Sequence, residues 1–172
     1  PQSWFYGCIN LESITLPLNT VSIGDFSFYR CELLRYFKLP NSVQSIGAYS
    51  FSFCRCIIST LEIPHFIDRI EPHAFSNCIL IERVKLGNVK TISHHAFFNC
   101  SSLSQLIIDT DNQTTIESNR HSIQILQNNS IKKKISNSYI EVIDDNAFSY
   151  TSLSKFDNIF ENTLFNLLDQ IL

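Results

Sequence analysis

Apolar positions recur along this chain with a short, nearly constant period. Five times a Phe stands three residues before a Cys, and successive cysteines are separated by 23, 23, 24 and 22 residues. A sixth copy keeps the Phe and has Thr in place of the Cys. The six pairs are Phe5/Cys8, Phe28/Cys31, Phe51/Cys54, Phe75/Cys78, Phe97/Cys100 and Phe148/Thr151. Such periodicity predicts stacked repeats, each of which buries its apolar face against its neighbours.

Each repeat also contains an apolar segment with the spacing of a short β-strand. The segment follows the Cys position, reads L-x-x-L-x-L, and its last residues alternate between two faces. A Pro follows the segment in three repeats and Gly87 in the fourth, which marks where the strand ends. The segments are Leu11/Ile14/Leu16, Leu34/Phe37/Leu39, Ile58/Leu61/Ile63, Ile81/Val84/Leu86 and Leu103/Leu106/Ile108. Strands of successive repeats are therefore predicted to form one parallel sheet.

A second apolar pair follows in each repeat and predicts a short strand on the far side. The pairs are Val21/Ile23, Val43/Ile46, Ile67/Ile70, Val89/Ile92 and Ile140/Ile143. A small residue and the repeated Phe come next, which predicts a tight helical or 3₁₀ turn. In this turn the Phe is expected to be the large apolar plug between neighbouring repeats.

These residues resemble the BspA-like leucine-rich repeats, whose pattern reads roughly I-G-x-x-A-F-x-x-C-x-x-L-x-x-I-x-L-P-x-x-V. Residues 46–54 (IGAYSFSFC) and 31–40 (CELLRYFKLP) match it nearly position by position. The resemblance covers about residues 4–108 and again 140–156. It implies an α/β repeat fold, a right-handed leucine-rich-repeat solenoid with a parallel concave β-sheet, short convex strands and 3₁₀ or helical turns.

Residues 1–172 are interpreted as a single leucine-rich-repeat solenoid with two irregular segments. Residues 109–138 are a degenerate repeat, polar and turn-rich at first, in which later apolar stretches predict a β-hairpin over 121–135. The hairpin is either a functional insertion or a tolerated surface elaboration. Residues 157–172 have helical spacing and are expected to cap the apolar core, with a partner-binding helix as the alternative.

Composition narrows the classes of function. Hydrophobic residues make up 44% of the chain and charged residues 17%, which permits a packed core. The net charge is −3 and no basic stripe is present, so nucleic-acid binding is not expected. No apolar run reaches the length of about 18 residues that a membrane span needs. The chain starts at Pro1 part-way through a repeat and contains no Met, so we expect it to be part of a longer protein.

The repeat explains five of the six cysteines better than a disulfide framework does. A small apolar side chain that recurs once per repeat is expected to line the interior as a free thiol. Only Cys56 falls outside this column. Some disulfide pairing and a metal site are the alternatives, but Cys54 and Cys56 have no second close pair to complete four ligands.

The sequence contains no constellation typical of catalysis, so neither an enzyme nor a bound cofactor is expected. Phosphate loops, nucleophile elbows and zinc-protease motifs do not occur. His73 and His95 occupy the same repeat position and should stack about 5 Å apart. Two imidazoles could hold a metal or act as a pH-sensitive pair, but they are too few for a tight site, so no metal is expected. Asn99, Asn112 and Asn128 begin glycosylation triplets that matter only in a secreted protein.

Residues between the inward strand positions form three outward columns along the predicted sheet. They are Thr15, Lys38, Glu62, Lys85 and Ile107; Ser13, Tyr36, Thr60, Arg83 and Gln105; and Glu12, Arg35, Ser59, Glu82 and Ser104. One interpretation is a ladder of weak cross-strand ion pairs that keeps the sheet soluble. The other is a mixed-charge binding platform anchored by Tyr36 and Arg83, residue types that are enriched at interfaces.

The resemblance implies a non-catalytic, cell-surface or secreted adhesion module that binds a protein or glycoprotein partner, such as host matrix or another cell. An intracellular leucine-rich-repeat scaffold in the cytoplasm is the alternative. In either case the concave sheet face is expected to bind the partner. The expected contact residues are Glu12, Ser13, Thr15, Arg35, Tyr36, Lys38, Thr60, Glu62, Glu82, Arg83, Lys85, Gln105 and Ile107.

Overall fold

The computed structural model describes residues 3–108, 114–117, 142–144 and 146–152. Within these ranges the regular elements are nine β-strands, and none of the described residues is helical. This part of the chain therefore has no helix long and apolar enough to cross a membrane. The strands are β1 (Ser22–Ile23), β2 (Ser45–Ile46), β3 (Ser59–Glu62), β4 (Arg69–Ile70), β5 (Ile81–Leu86), β6 (Thr91–Ile92), β7 (Gln105–Ile108), β8 (Thr114–Glu117) and β9 (Val142–Ile143).

The longer strands form a four-stranded sheet in the order β3-β5-β7-β8. Strands β3, β5 and β7 come from three successive repeats and are parallel, as the repeat pattern predicts. On β5, Val84 and Leu86 are buried while Glu82 is exposed, so one face of the sheet packs on the core. In the two preceding repeats the predicted strands are reduced to one parallel bridge, between Ser13 and Tyr36.

Strand β8 is the one antiparallel member of the long sheet as described, and it pairs with β7. It lies in the first part of the degenerate repeat, where the sequence indicates turn-rich chain. Thr114, Thr115 and Ile116 are β-branched, and such residues favour a pleated strand once a sheet edge is available for pairing. The predicted hairpin over 121–135 and the predicted helical cap over 157–172 lie outside the described residues.

The two-residue strands pair in parallel in two further sheets, β1-β2 and β4-β6-β9. Their Ile23, Ile46 and Ile70 are buried, which agrees with the predicted second apolar position of each repeat. Ile92 pairs directly with Ile143, although a long segment separates them in the sequence. The stack of repeats therefore continues past the degenerate segment.

The chain around each repeated Phe forms overlapping β-turns, and the predicted helical or 3₁₀ turn is wrong. In the second repeat, the N–H groups of Tyr29 and Cys31 donate to carbonyls three residues earlier. The N–H groups of Phe28 and Arg30 donate instead to carbonyls of the next repeat, at 2.7 and 2.9 Å. Positive φ angles at Phe26 and Arg30 prevent a continuous right-handed helix and direct alternate peptides toward the neighbouring repeat.

The repeated Phe residues form one continuous stack through the core. From Phe5 to Phe148, the ring centroids of neighbouring repeats lie 5.0–5.5 Å apart, with the ring planes within 9° of parallel. The four rings between these two are at most 2% exposed. Their separation follows the spacing of paired strands, roughly 4.8 Å. The Phe is thus the apolar plug between repeats, as predicted.

Four cysteines form a second buried column beside the Phe stack. Cys31, Cys54, Cys78 and Cys100 are free thiols with no exposed surface. Each Sγ donates a hydrogen bond to the carbonyl of the Phe one repeat earlier, at 3.1–3.2 Å. A Cys at this position is therefore small enough for the interior and also supplies a donor to a buried carbonyl.

Among the residues whose burial the structure describes, three positions predicted to face the core are exposed. Cys8, in the first repeat, is exposed, whereas its four counterparts in the later repeats are buried. Ile58 is 46% exposed, and the residue before it, Ile57, is buried in its place because the third repeat contains one extra residue. Val21 is 52% exposed, whereas the equivalent Val43 is fully buried.

Thiol labelling should separate the two classes of cysteine. Burial raises the pKa of the Cys31 and Cys100 thiols to about 12, which keeps them in the unreactive thiol form. We expect a bulky thiol reagent to label only Cys8 and Cys56 in the native protein, and all six cysteines after denaturation. Rapid labelling of three or more thiols in the native protein would contradict the buried column.

Candidate functional site

The outward residues of the long sheet lie in rows across its strands. Because β3, β5 and β7 are parallel and in register, equivalent residues of successive repeats are direct neighbours. The rows are Thr60, Arg83 and Gln105, and Glu62, Lys85 and Ile107. The first two predicted columns are therefore confirmed over these three strands.

The third predicted column is wrong at one position. Ser59 pairs with Ile81 and not with Glu82, because the register of β3 against β5 shifts immediately after Ser59. A bulge of this kind accommodates one additional residue in a strand. One repeat further on the column is regular again, since the Ser104 N–H donates to the Glu82 carbonyl at 3.0 Å.

All thirteen residues expected to contact a partner are exposed or half-buried. We call this set the sheet platform. Tyr36 is 64% exposed and thus presents a large aromatic surface to solvent. Arg83 is half-buried, and its Nε donates to Thr60 Oγ1 at 2.9 Å, which fixes the guanidinium beside the neighbouring strand.

A shallow depression adjoins the platform where β3 and β5 end. Glu62 and Lys85 contribute opposite charges to it, and Asn41 and His65 add further polar groups. Gly87 permits the close approach of the chain here, because a Cβ at this position would lie 2.9 Å from the Cα of His65. The full lining consists of Leu39, Asn41, Glu62, Ile63, Pro64, His65, Lys85 and Gly87.

A second group of polar side chains lies in the layer of β-turns. His73 and His95 stack with ring centroids 4.8 Å apart and planes 11° from parallel, as predicted. Tyr49 extends this stack, with its ring centroid 4.4 Å from that of His73. His94 lies edge-on to both histidines, at 5.6 and 5.8 Å. Burial, and then the neighbouring charges of His95 and His94, lower the pKa of His73.

Sequence reasoning missed His94 because it lies one position before the stacked column. The available signal was the consecutive pair His94-His95 in a column that already contained His73. Its edge-on position depends on the turn geometry, and the backbone N–H of His73 donates to the His94 carbonyl at 3.3 Å. The predicted helical turns would not have placed the His94 ring edge-on to His73.

These features define a repeat protein built from parallel short strands. They are the parallel strand pairing between repeats, the buried Phe stack and the leucine-rich strand segments. A family model described as the BspA type leucine rich repeat region, with six copies, matches residues 1–124 and 53–168. The chain belongs to this BspA-type leucine-rich repeat family. A comparison with curated proteins gives no match.

Among solved structures, the chain is similar to two bacterial leucine-rich repeat proteins. The protein from T. pallidum is 23% identical over 63% of each chain, with a TM-score of 0.49. The protein from Bacteroides ovatus is 19% identical over 88% of this chain and 44% of that chain, with a TM-score of 0.40. The chain therefore spans less than two thirds of the length of either protein.

Proposed function

We propose that this chain is a non-catalytic recognition module that binds a protein or glycoprotein partner through the sheet platform. The observation that carries the proposal is the alignment of platform residues in rows across β3, β5 and β7, which the bridge between Ser13 and Tyr36 continues into the first two repeats. Backbone pairing holds these side chains in place before any partner arrives, which lowers the entropy cost of binding. Aromatic and Arg anchors within a mixed-charge surface suit a protein partner.

The overall form that supports this function is a right-handed solenoid with the platform on its concave face. Three kinds of contact between repeats favour it: the long sheet, the two-residue strands and the hydrogen-bonded turns. Each kind pairs a repeat mainly with its direct neighbours, as expected for a quasi-one-dimensional array. Parallel strands joined by crossover connections are almost always right-handed.

The proposed setting is the cell surface or the secreted fraction, where the module would adhere to host matrix or to another cell. This rests on resemblance to BspA-like repeats and on the large exposed side chains of the platform, such as Tyr36. A cytoplasmic scaffold of the same fold is the competing proposal. Both proposals use the same binding surface. The cell fraction from which the partner is captured therefore distinguishes them.

A capture experiment should locate the binding surface. The folded chain is presented separately to extracellular matrix with cell surfaces, and to cytosol, beside the variant Tyr36→Ala/Lys38→Glu/Arg83→Glu. We expect capture from the surface fraction, and at least a tenfold loss by the variant, because hot-spot substitutions cost roughly 2 kcal/mol or more. Capture from cytosol alone would favour the scaffold.

The control variant carries the same number of charge reversals away from the platform. Gln44→Ala/Arg69→Glu/Lys90→Glu alters exposed residues in or next to the two-residue strands. It should capture the partner as well as the parent chain does. Equal capture by the parent chain and the platform variant would contradict the proposed surface, and so would a greater loss by the control variant.

A further inference from the structure

Three histidines from two adjacent repeats converge in the turn layer, apart from the sheet platform. His73 comes from the fourth repeat, and His94 and His95 come from the fifth. Each offers one ring nitrogen, and these three nitrogens lie within 4.8 Å of one another. No other group of three or more potential ligands of this kind occurs in the described part of the chain.

The backbone determines this convergence. His73 and His95 both have a φ of 56°, so their side chains leave the turn in the same direction one repeat apart. The Tyr49 ring stacks on His73, and the Phe98 ring lies edge-on to His95. His94 is exposed and therefore has the most room to reorient, whereas His73 and His95 are half-buried.

We propose that His73, His94 and His95 bind one divalent transition-metal ion, Zn²⁺ or Cu²⁺, and that the ion links the fourth and fifth repeats. Imidazole nitrogen is a preferred ligand of both ions, whereas Mg²⁺ and Ca²⁺ require oxygen ligands. Zinc–nitrogen bonds of about 2.0–2.1 Å place ligand nitrogens roughly 3.3 Å apart in a tetrahedral site. Because metal–imidazole bonds lie in the ring plane, the parallel His73 and His95 rings must tilt toward a common point to bind the ion. The exposed His94 ring must also rotate toward them.

An unpartnered atom on one of the three histidines supports the site. The Nδ1 atom of His95 is buried and has no hydrogen-bond partner among the described residues. A buried nitrogen without a partner costs free energy, and a bound cation is one way to satisfy it.

Three protein ligands leave the fourth position of a tetrahedral ion for a water molecule or an outside group. The turn layer is at the surface, since His94 is exposed and His73 and His95 are half-buried. The ion would therefore act as a clamp between repeats that also presents one open coordination position to solvent. A carboxylate or imidazole of a partner protein is suited to occupy that position.

Metal titration with matched histidine variants tests this site. The parent carries Cys8→Ser/Cys56→Ser, which removes the accessible thiols. By isothermal titration calorimetry, we expect one equivalent of Zn²⁺ to bind, no Mg²⁺ to bind, and His94→Gln to weaken Zn²⁺ binding at least tenfold. A Zn²⁺ concentration of about 100 times Kd should raise Tm by roughly 5–10 °C.

The matched control is His65→Gln/His121→Gln, which removes the only two histidines outside the group and should leave Zn²⁺ affinity unchanged. Because His94 is exposed, His94→Gln should keep the parent Tm without metal, so any loss of Zn²⁺ affinity is not a loss of folding. An absence of saturable Zn²⁺ binding below millimolar concentration would overturn the proposal. So would unchanged affinity in His94→Gln, or a Cu²⁺ electron paramagnetic resonance spectrum without imidazole nitrogen couplings.

Discussion

Substitution of Phe75 by Ala should lower the free energy of unfolding by about 3–5 kcal/mol. Phe75 has no exposed surface and stacks on Phe51 at 5.3 Å and on Phe97 at 5.5 Å. Its removal takes away the burial of a large ring and leaves a cavity that neighbouring repeats, fixed by their hydrogen-bond ladders, cannot collapse to fill. The effect is large because the ring is a contact surface for two repeats at once.

Urea denaturation followed by circular dichroism measures this effect. The matched control is Phe66→Ala, which truncates a Phe side chain that is 68% exposed and should change stability by less than about 0.5 kcal/mol. A loss below about 1 kcal/mol for Phe75→Ala would mean that the ring does not lie between repeats. Similar losses for both variants would contradict the difference in burial.

Gly47→Ala should destabilise the protein by about 1–3 kcal/mol through steric overlap. A Cβ at this position would lie 2.6 Å from the backbone nitrogen of Asp25 and would also overlap the Asp25 side chain. That side chain cannot move away freely, because Asp25 Oδ1 accepts a hydrogen bond from the Ala48 N–H at 2.9 Å. The substitution therefore forces two adjacent repeats apart or breaks this bond.

Thermal unfolding of the Gly47 variant should be compared with that of Glu71→Ala. Glu71 occupies the equivalent position of the next repeat and already carries a side chain there, so shortening it creates no overlap. A reduction of Tm only for Gly47→Ala is expected. If Gly47→Ala unfolds at the same temperature as the parent chain, the contact between these two repeats is looser than described.

The repeat period was sufficient to predict most of the side chains that build the core, with Cys8, Val21 and Ile58 as the exceptions. Once Phe75 and its equivalents are aligned, the register of the sheet and the outward columns follow, because each residue must lie beside its counterpart one period later. The stacking of His73 on His95 could be predicted for the same reason. The structure confirms these assignments for Arg83, Lys85 and their direct neighbours on β3 and β7.

The period could not predict features that depend on local backbone geometry. Positive φ angles at bulky residues such as Phe26 are unfavourable in isolation, and hydrogen bonds to the next repeat make them possible. The strand bulge at Ser59 arises where one repeat is longer than the next. His94 was missed because its position depends on the same turns. Local strain and irregular repeats therefore limit how much of the turn and strand geometry can be predicted from the sequence. The hydrophobic pattern imposes no such limit on the alignment of the repeats.

Photo-crosslinking tests most directly the claim that the platform is the recognition surface. A photoreactive phenylalanine analogue replaces Tyr36 on the platform in one protein, and Tyr150 outside it in another. The two tyrosines are similarly exposed, at 64% and 70%. Each protein is irradiated with the surface fraction that captures the parent chain. We predict a discrete crosslinked partner from position 36 and none from position 150. The same partner crosslinked from position 150 alone would contradict the account.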